Sequence, residues 1–321
     1  MAHTTKYLPQ QELFIEKVLA EFAKKFSTPS FEIPSTRCLA KTDLLKHLVD
    51  IRNEIGLPGY KRFPAKDILL HLERSKIITP IKTLNPKTMV EQEKFYLLGF
   101  QSNQNFVDPI ELLQALEPKG VICYFSALEY YELTTQIPSH HHVAKLIKSP
   151  LGEKSKSKEA YVTARKKRMF NPLGKKELVY EGVPYYLTNR DKRLVPGIKE
   201  RFLNERTKFY ITTLEQTLID TLHKPLSCGG SPVIFEAWQN AVNKLKSKII
   251  LEYLNKIGNI SLSCRVGYMM EIMEYKLSDE LSNFLDLAKN STVKNNPELA
   301  PSLLPGVDFH EINNEWFIKV P

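Results

Sequence analysis

Side chains able to carry chemistry are scattered along this 321-residue chain, and few fall at a spacing a reaction would use. Glu215 and Asp220, with Lys208 and Lys224 nearby, have the residue types of a divalent-metal nuclease. Five positions apart on a straight helix they diverge by roughly 140°, which argues against one shared ion. His140-His141-His142 invites a metal reading, but consecutive side chains on a strand point to alternate faces, so only His140 and His142 can share a site. No carboxylate or cysteine stands close in sequence to complete a tetrahedral set, so an exposed polar strand is the expectation there. Cys38, Cys123, Cys228 and Cys264 have neither metal-ligand nor redox spacing and read as free, mostly buried thiols of a reducing compartment. None of the 13 glycines forms a P-loop or dinucleotide pattern, and there is no nucleophile elbow or zinc-protease helix. No catalytic residue, metal or cofactor is expected.

What remains is basic. Lys61, Arg62, Lys66, His71 and Arg74 lie on or beside a short helical pattern, and Lys87 lies at a polar tip further on. When a helix enters a DNA major groove, such groups reach base edges and phosphates. Lys66, His71 and Arg74 are the candidates for base edges or phosphates, and Lys61, Arg62 and Lys87 for anchoring the backbone. Between Lys145 and Lys176, eleven Lys/Arg, among them Arg165, Lys166, Lys167 and Arg168, face only Glu153 and Glu159. That excess equals the +9 of the whole chain. A localised basic run is the electrostatic footprint of a polyanion binder, and Arg165–Arg168 would extend the contact. The plainer alternative is a small core helix beside a hairpin, with the basic run a solvated loop.

The elements that would position these groups can be read from periodicity. Residues 9–27 carry Leu13, Phe14, Val18, Leu19, Phe22 and Phe26 at helical spacing. A second helix, 42–55, starts from Thr42 as its N-cap and ends at Gly56-Leu57-Pro58-Gly59. A third, 64–75, has Pro64 in its first turn and Ile68, Leu69 and Leu72 on one face. Ile77–Lys82 and Phe95–Leu98 are β-rich, with Asn85-Pro86-Lys87 and Glu91-Gln92-Glu93 as the tip between them. Three helices and a hairpin give a winged helix-turn-helix. After it, Asp108 caps a helix beginning at Pro109, Val121–Tyr124 is β-like and 126–131 is helical. Strand-like stretches at 178–180, 183–187 and 208–212 suggest a small sheet, followed by helices at 213–222, 231–245, 247–257, 263–275 and 278–288 and a closing strand, 315–320. Gly267, inside an apolar helix, implies a close contact, and Arg265 beside it calls for a backbone carbonyl or an acid such as Glu236.

The expected fold is therefore α+β: a winged helix-turn-helix over 1–100, then a mixed α/β domain over 106–321 with a small sheet and a helical bundle. With 42% hydrophobic residues the chain can bury a sizeable core. No apolar run approaches a membrane span and the N-terminus lacks a signal-peptide segment, so a soluble, cytoplasmic protein is expected.

Three stretches carry a family resemblance. Ser126-Ala127-Leu128-Glu129-Tyr130-Tyr131-Glu132-Leu133-Thr134-Thr135-Gln136-Ile137-Pro138 resembles a signature in which His and Gly often stand where this chain has Tyr131 and Glu132. Thr212-Thr213-Leu214-Glu215-Gln216-Thr217-Leu218-Ile219-Asp220, with Gly229-Gly230 and Glu236-Ala237-Trp238, is similar to a second, with Gln216 in place of the usual Arg. Arg265-Val266-Gly267-Tyr268 is similar to a third. In order and spacing these resemble the AbiEi family of antitoxins and transcriptional regulators, from type IV toxin–antitoxin systems of bacteria, over roughly residues 108–275. The resemblance implies a non-catalytic antitoxin with an N-terminal winged helix-turn-helix. It implies binding to inverted repeats in its own promoter and action against a nucleotidyltransferase-like toxin, AbiEii, without a stable complex. Two other readings stay open: a metal-dependent nuclease of a defence system at Glu215/Asp220, and a toxin-gripping module without DNA specificity. Monomer and dimer on DNA are both compatible with the sequence.

Overall fold

The computed structural model describes residues 8–99, 106–148, 173–291 and 300–321. It is a mixed α/β chain that divides into two compact units. The first is Met1–Lys119 with Leu178–Gly182 and Arg201–Phe209; the second is Gly120–Glu177, Val183–Glu200 and Tyr210–Pro321.

The first unit holds α1 (Leu8–Lys25), β1 (Cys38–Ala40), α2 (Lys41–Ile55), α3 (Ala65–Arg74) and a hairpin of β2 (Ile78–Leu84) and β3 (Glu91–Leu98). The apolar periodicity explains their packing. Phe14, Val18 and Phe22 of α1, Leu44, Leu48 and Ile51 of α2, and Ile68, Leu69 and Leu72 of α3 meet Ile78, Tyr96 and Leu98 of the hairpin in one core. Gly56 ends α2 in the left-handed region (φ 60°), its N–H donating to the Arg52 carbonyl. The Arg52 guanidinium then ties the turn by donating to the Phe63 carbonyl at 2.9 Å.

Several boundaries differ from those expected. The N-cap of α2 is Ala40, without a side-chain cap, and Thr42 lies inside the helix. Pro64 is the N-cap of α3 rather than part of its first turn. Glu91-Gln92-Glu93 belong to β3, so the tip is only 85–90. The short β1, antiparallel to β3, was not expected; three residues are too few to show alternation. In α4 (Pro109–Leu116), Asp108 caps as expected, accepting from the Ile110 N–H at 2.8 Å. Glu111 is buried because Arg37 pairs with it while Asn204 and Thr207 donate to its other oxygen, each at 3.1 Å. Arg206 donates to the carbonyls of Leu98 and Thr36, at 3.0 and 2.6 Å.

In the second unit the strand order is β6-β7-β5-β4-β9-β8. These are β4 (Val121–Ile122), β5 (His141–Ile147), β6 (Lys175–Tyr180), β7 (Val183–Asp191), β8 (Ile198–Asn204) and β9 (Thr207–Thr212); β6, β8 and β9 contribute only part of their length. Strand β5 runs parallel to β7, and β4 parallel to β9. The sheet is thus far larger than the small one expected. The strand not expected is β8, which carries a Lys-Glu-Arg run in place of apolar alternation; β5, expected only as an exposed polar strand, is part of this sheet. Helices α5 (Phe125–Tyr130), α6 (Leu214–His223), α7 (Ser231–Ala241), α8 (Ser247–Ile257), α9 (Ile260–Ile272) and α10 (Asp279–Asn290) follow the expected periodicity. Their core includes Leu218, Trp238, Leu254, Met269 and Leu285. In place of one closing strand there are two, β10 (Glu311–Asn313) and β11 (Ile318–Val320), with Trp316 and Phe317 in the turn between. All four cysteines are buried thiols outside any disulfide, and among the described residues no helix is long and apolar enough to cross a membrane.

Gly267 of α9 makes the close contact its sequence implied, though with an indole rather than a helix. A Cβ placed there would come within 2.1 Å of the Trp316 ring. Trp316 is itself fixed, its Nε1 donating to Glu271 at 2.7 Å and its backbone N–H to Asn313 at 2.9 Å. Gly267→Ala is therefore expected to destabilise by about 1–3 kcal/mol, the usual range for overpacking. A thermal melt checks this; an unchanged midpoint would mean that the indole moves aside freely.

Candidate functional site

With Ile68, Leu69 and Leu72 turned into the core, the outer face of α3 is left with Lys66, Asp67, Leu70, His71 and Arg74, all exposed. Lys61 and Arg62, in the turn leading to the helix, are exposed too. Lys87 is exposed at the hairpin tip. Of the six expected contact residues among these, three (Lys66, His71, Arg74) lie on the outer face of α3, two (Lys61, Arg62) in its lead-in turn and one (Lys87) at the hairpin tip. Arg165, Lys166, Lys167 and Arg168 lie outside the described residues. Charge within the unit is uneven. Residues 8–60 hold seven Lys/Arg against seven acids, whereas residues 61–94 hold eight against four. The excess sits on the lead-in turn (Lys61, Arg62), on Lys76 and on the hairpin, while α3 itself balances Lys66 and Arg74 against Asp67 and Glu73.

The tip is tightly built. The Asn85 side chain accepts the N–H groups of Lys87 and Thr88 at 2.9 and 3.3 Å. Asn85 also exchanges backbone bonds with Val90 and Met89, at 2.9 and 2.8 Å. Met89 takes a left-handed conformation, φ 56°. A cavity of about 370 Å³ elsewhere in the unit is walled by Pro34, Leu39, Asp43, Lys46, His47 and Pro118 among others. Its size is at the small end for ligand pockets, its walls mix both signs of charge, and none of them comes from α3 or the hairpin.

In the second unit the motif stretches interlock. Glu236 accepts from the Thr134 hydroxyl at 2.6 Å and from the N–H and hydroxyl of Thr135 at 2.9 and 2.8 Å. These three bonds hold the Glu236 carboxyl below the usual range. Tyr131 donates to the Thr212 carbonyl at 2.7 Å, and Trp238 Nε1 to the Thr221 hydroxyl at 3.0 Å. Arg265 donates to the Leu222 carbonyl at 3.3 Å, which settles its partner as a backbone carbonyl and not Glu236. Glu132 sits at φ 54°, a conformation that Gly adopts freely.

Glu215 and Asp220 are both buried. Asp220 is engaged: Arg190 grips it with two bonds, 2.6 and 2.5 Å, and Gln216 donates to it at 2.8 Å. Burial alone would lower the Arg190 pKa, but the facing Asp220 carboxylate outweighs it and holds it raised. Arg190 also lies 4.8 Å from the Tyr124 ring centroid. Among the described residues no group of three or more His, Cys, Asp or Glu side chains is placed to hold a metal ion.

The histidine run is a correction: the three side chains are buried, not exposed. His140 bonds Ser139 and the Ser227 carbonyl, at 3.0 and 3.2 Å, and His141 meets the Ser126 hydroxyl at 3.3 Å. His142, 0% exposed, finds no hydrogen-bond partner for either ring nitrogen among the described residues. It stacks on Tyr186 (5.2 Å between centroids) and meets Tyr124 and His140 edge-on. Burial, reinforced in His141 and His142 by neighbouring positive groups, lowers the pKa of all three, that of His141 from 6.5 to about 4. Unfolding lets these rings take up protons near pH 6.5. Their stabilising preference for the neutral form is complete above that pH and is lost as the pH falls toward 4, about 3 kcal/mol for His141 alone. The melting midpoint of the second unit is expected to drop between pH 6.5 and 4, and His142→Phe to flatten the drop. A midpoint that ignores pH over this window would refute the assignment.

No family model matches the chain, and no curated protein matches it. Among solved structures it is similar to one described as the crystal structure of RV2827C protein from Mycobacterium tuberculosis, at 11% sequence identity and a TM-score of 0.49, over 95% of this chain and 90% of that chain. At that level the likeness says nothing of function.

Proposed function

We propose that the chain is a DNA-binding regulator of the antitoxin type. In this reading it represses its own toxin–antitoxin promoter and counteracts a nucleotidyltransferase-like toxin in the cytoplasm. The observation that carries the DNA part is the free face of α3, where Lys66, His71 and Arg74 stand exposed while the opposite face is locked in the core. The element order α1-β1-α2-α3-β2-β3, with β1 and β2 flanking β3, supports the winged helix-turn-helix reading. The lead-in turn with Lys61 and Arg62 and the tip with Lys87 then flank the reading helix. The antitoxin part is supported by the interlocking of the three family-like stretches through Glu236, Trp238, Tyr131 and Arg265. It is supported too by Glu132, which keeps a glycine-like conformation where the family often has Gly. The nuclease reading is disfavoured because Asp220 is consumed by Arg190.

The test is a gel shift against the DNA upstream of the protein's own gene, at about 50 and 200 mM salt, with an unrelated fragment as control. The expected result is a preference for the upstream DNA that weakens with salt by about 0.9 log units per log unit for each phosphate contacted. Equal affinity for both fragments would overturn the regulator reading.

A further inference from the structure

Two apolar side chains stand exposed at the end of the β2–β3 hairpin: Met89 is 57% exposed and Val90 62%. They occupy the tip that Asn85 closes with four hydrogen bonds, so their position is fixed before any partner arrives. The surrounding segment, residues 61–94, carries twice as many Lys/Arg as acids, so the partner it complements is a polyanion.

We infer that this tip is an apolar wedge for duplex DNA: Met89, with Val90 beside it, enters a groove and lodges against or between base pairs. Three features fit. A flexible, polarizable thioether adapts to the irregular space beside a partly opened base step. Apolar side chains pressed into a groove unstack bases at a cost of a few kcal/mol that the added contact must offset, which favours a preorganised tip. Lys87, two residues before Met89, is exposed and available to a flanking phosphate. The inference rests on the DNA-binding reading above and adds to it a contact that recognises base stacking rather than charge.

The experiment uses the full chain and its upstream DNA with 2-aminopurine substituted one position at a time across the bound site. Wild type is expected to raise the fluorescence severalfold at one step. The double variant Met89→Ala/Val90→Ala is expected to lose that rise and to bind roughly tenfold more weakly, a loss of about 1.4 kcal/mol. Its salt slope should stay the same, because no phosphate contact has been removed. Lys87→Ala should do the reverse, keeping the fluorescence and lowering the slope by about 0.9. Because both apolar groups are exposed, the melting midpoint of the double variant should match wild type, which separates loss of contact from loss of fold. Specific binding with no responsive step, or a response that survives in the double variant, would overturn the wedge while leaving the DNA-binding reading intact. The tip would then serve a lipid or protein surface. Failure of wild type to prefer its upstream DNA would overturn both.

Discussion

Reversing charge at Lys66 and Arg74 together is expected to weaken specific DNA binding by a hundredfold or more at about 100 mM salt. Both side chains are exposed on the outer face of α3, eight residues and so about 80° apart around the helix axis. Single contacts of this kind contribute about 1–3 kcal/mol each, and a glutamate in their place adds repulsion to the loss. If both groups meet phosphates, the slope of log affinity against log salt should fall by about 1.8. The folded state should lose at most about 1 kcal/mol: Lys66→Glu is an exposed change near the helix N-terminus, and Arg74→Glu places a negative charge in the last turn. A gel shift and a melt of Lys66→Glu/Arg74→Glu decide the matter. Unchanged specific binding would remove α3 as the reading helix.

Asp220→Ala is expected to be the most destabilising single change in the second unit. It leaves the Arg190 guanidinium buried and unpaired, at a cost of about 3–5 kcal/mol. It also strips Gln216 of one of its acceptors. For a unit of this size the melting midpoint should fall by roughly 10 °C. Arg190→Met combined with Asp220→Leu should recover much of the loss, because a buried ion pair exchanged for apolar groups of similar volume is often neutral or better. A midpoint for Asp220→Ala close to wild type would mean that water reaches Arg190.

Most helices were legible in the sequence because burial there follows a simple period. Leu44, Leu48 and Ile51, or Ile68, Leu69 and Leu72, announce both the helix and its inner face, and Asp108-Pro109 announces a start. The buried thiols and the tight environment of Gly267 were legible for the same reason: small or apolar residue types in apolar company. What the sequence hid depends on pairing at a distance. Arg190 and Asp220 look like two ordinary surface charges until a strand and a helix bring them together. His140–His142 look solvated because the rings that cover them, Tyr124 and Tyr186, lie elsewhere in the chain. Strand β8 alternates no apolar residues, and β1 is three residues long. Of the candidate interface, the helix α3 and the positions of its charges were legible; the apolar tip was not, since Met89 and Val90 read as ordinary hairpin residues until their exposure is seen.

The chain enters the first unit three times, at Met1–Lys119, Leu178–Gly182 and Arg201–Phe209. Arg206 closes on Leu98 and Thr36, Ser35 meets Thr207 across 172 positions, and Glu111 waits for Asn204 and Thr207. During synthesis, then, the α3 helix leaves the ribosome long before the last partners of its own unit exist. At about 5–20 residues per second, the gap between residue 119 and residue 209 is about 5 to 18 seconds. Over that interval Glu111 is a carboxylate without its full set of donors, and the order of events in the growing chain is set by its later segments.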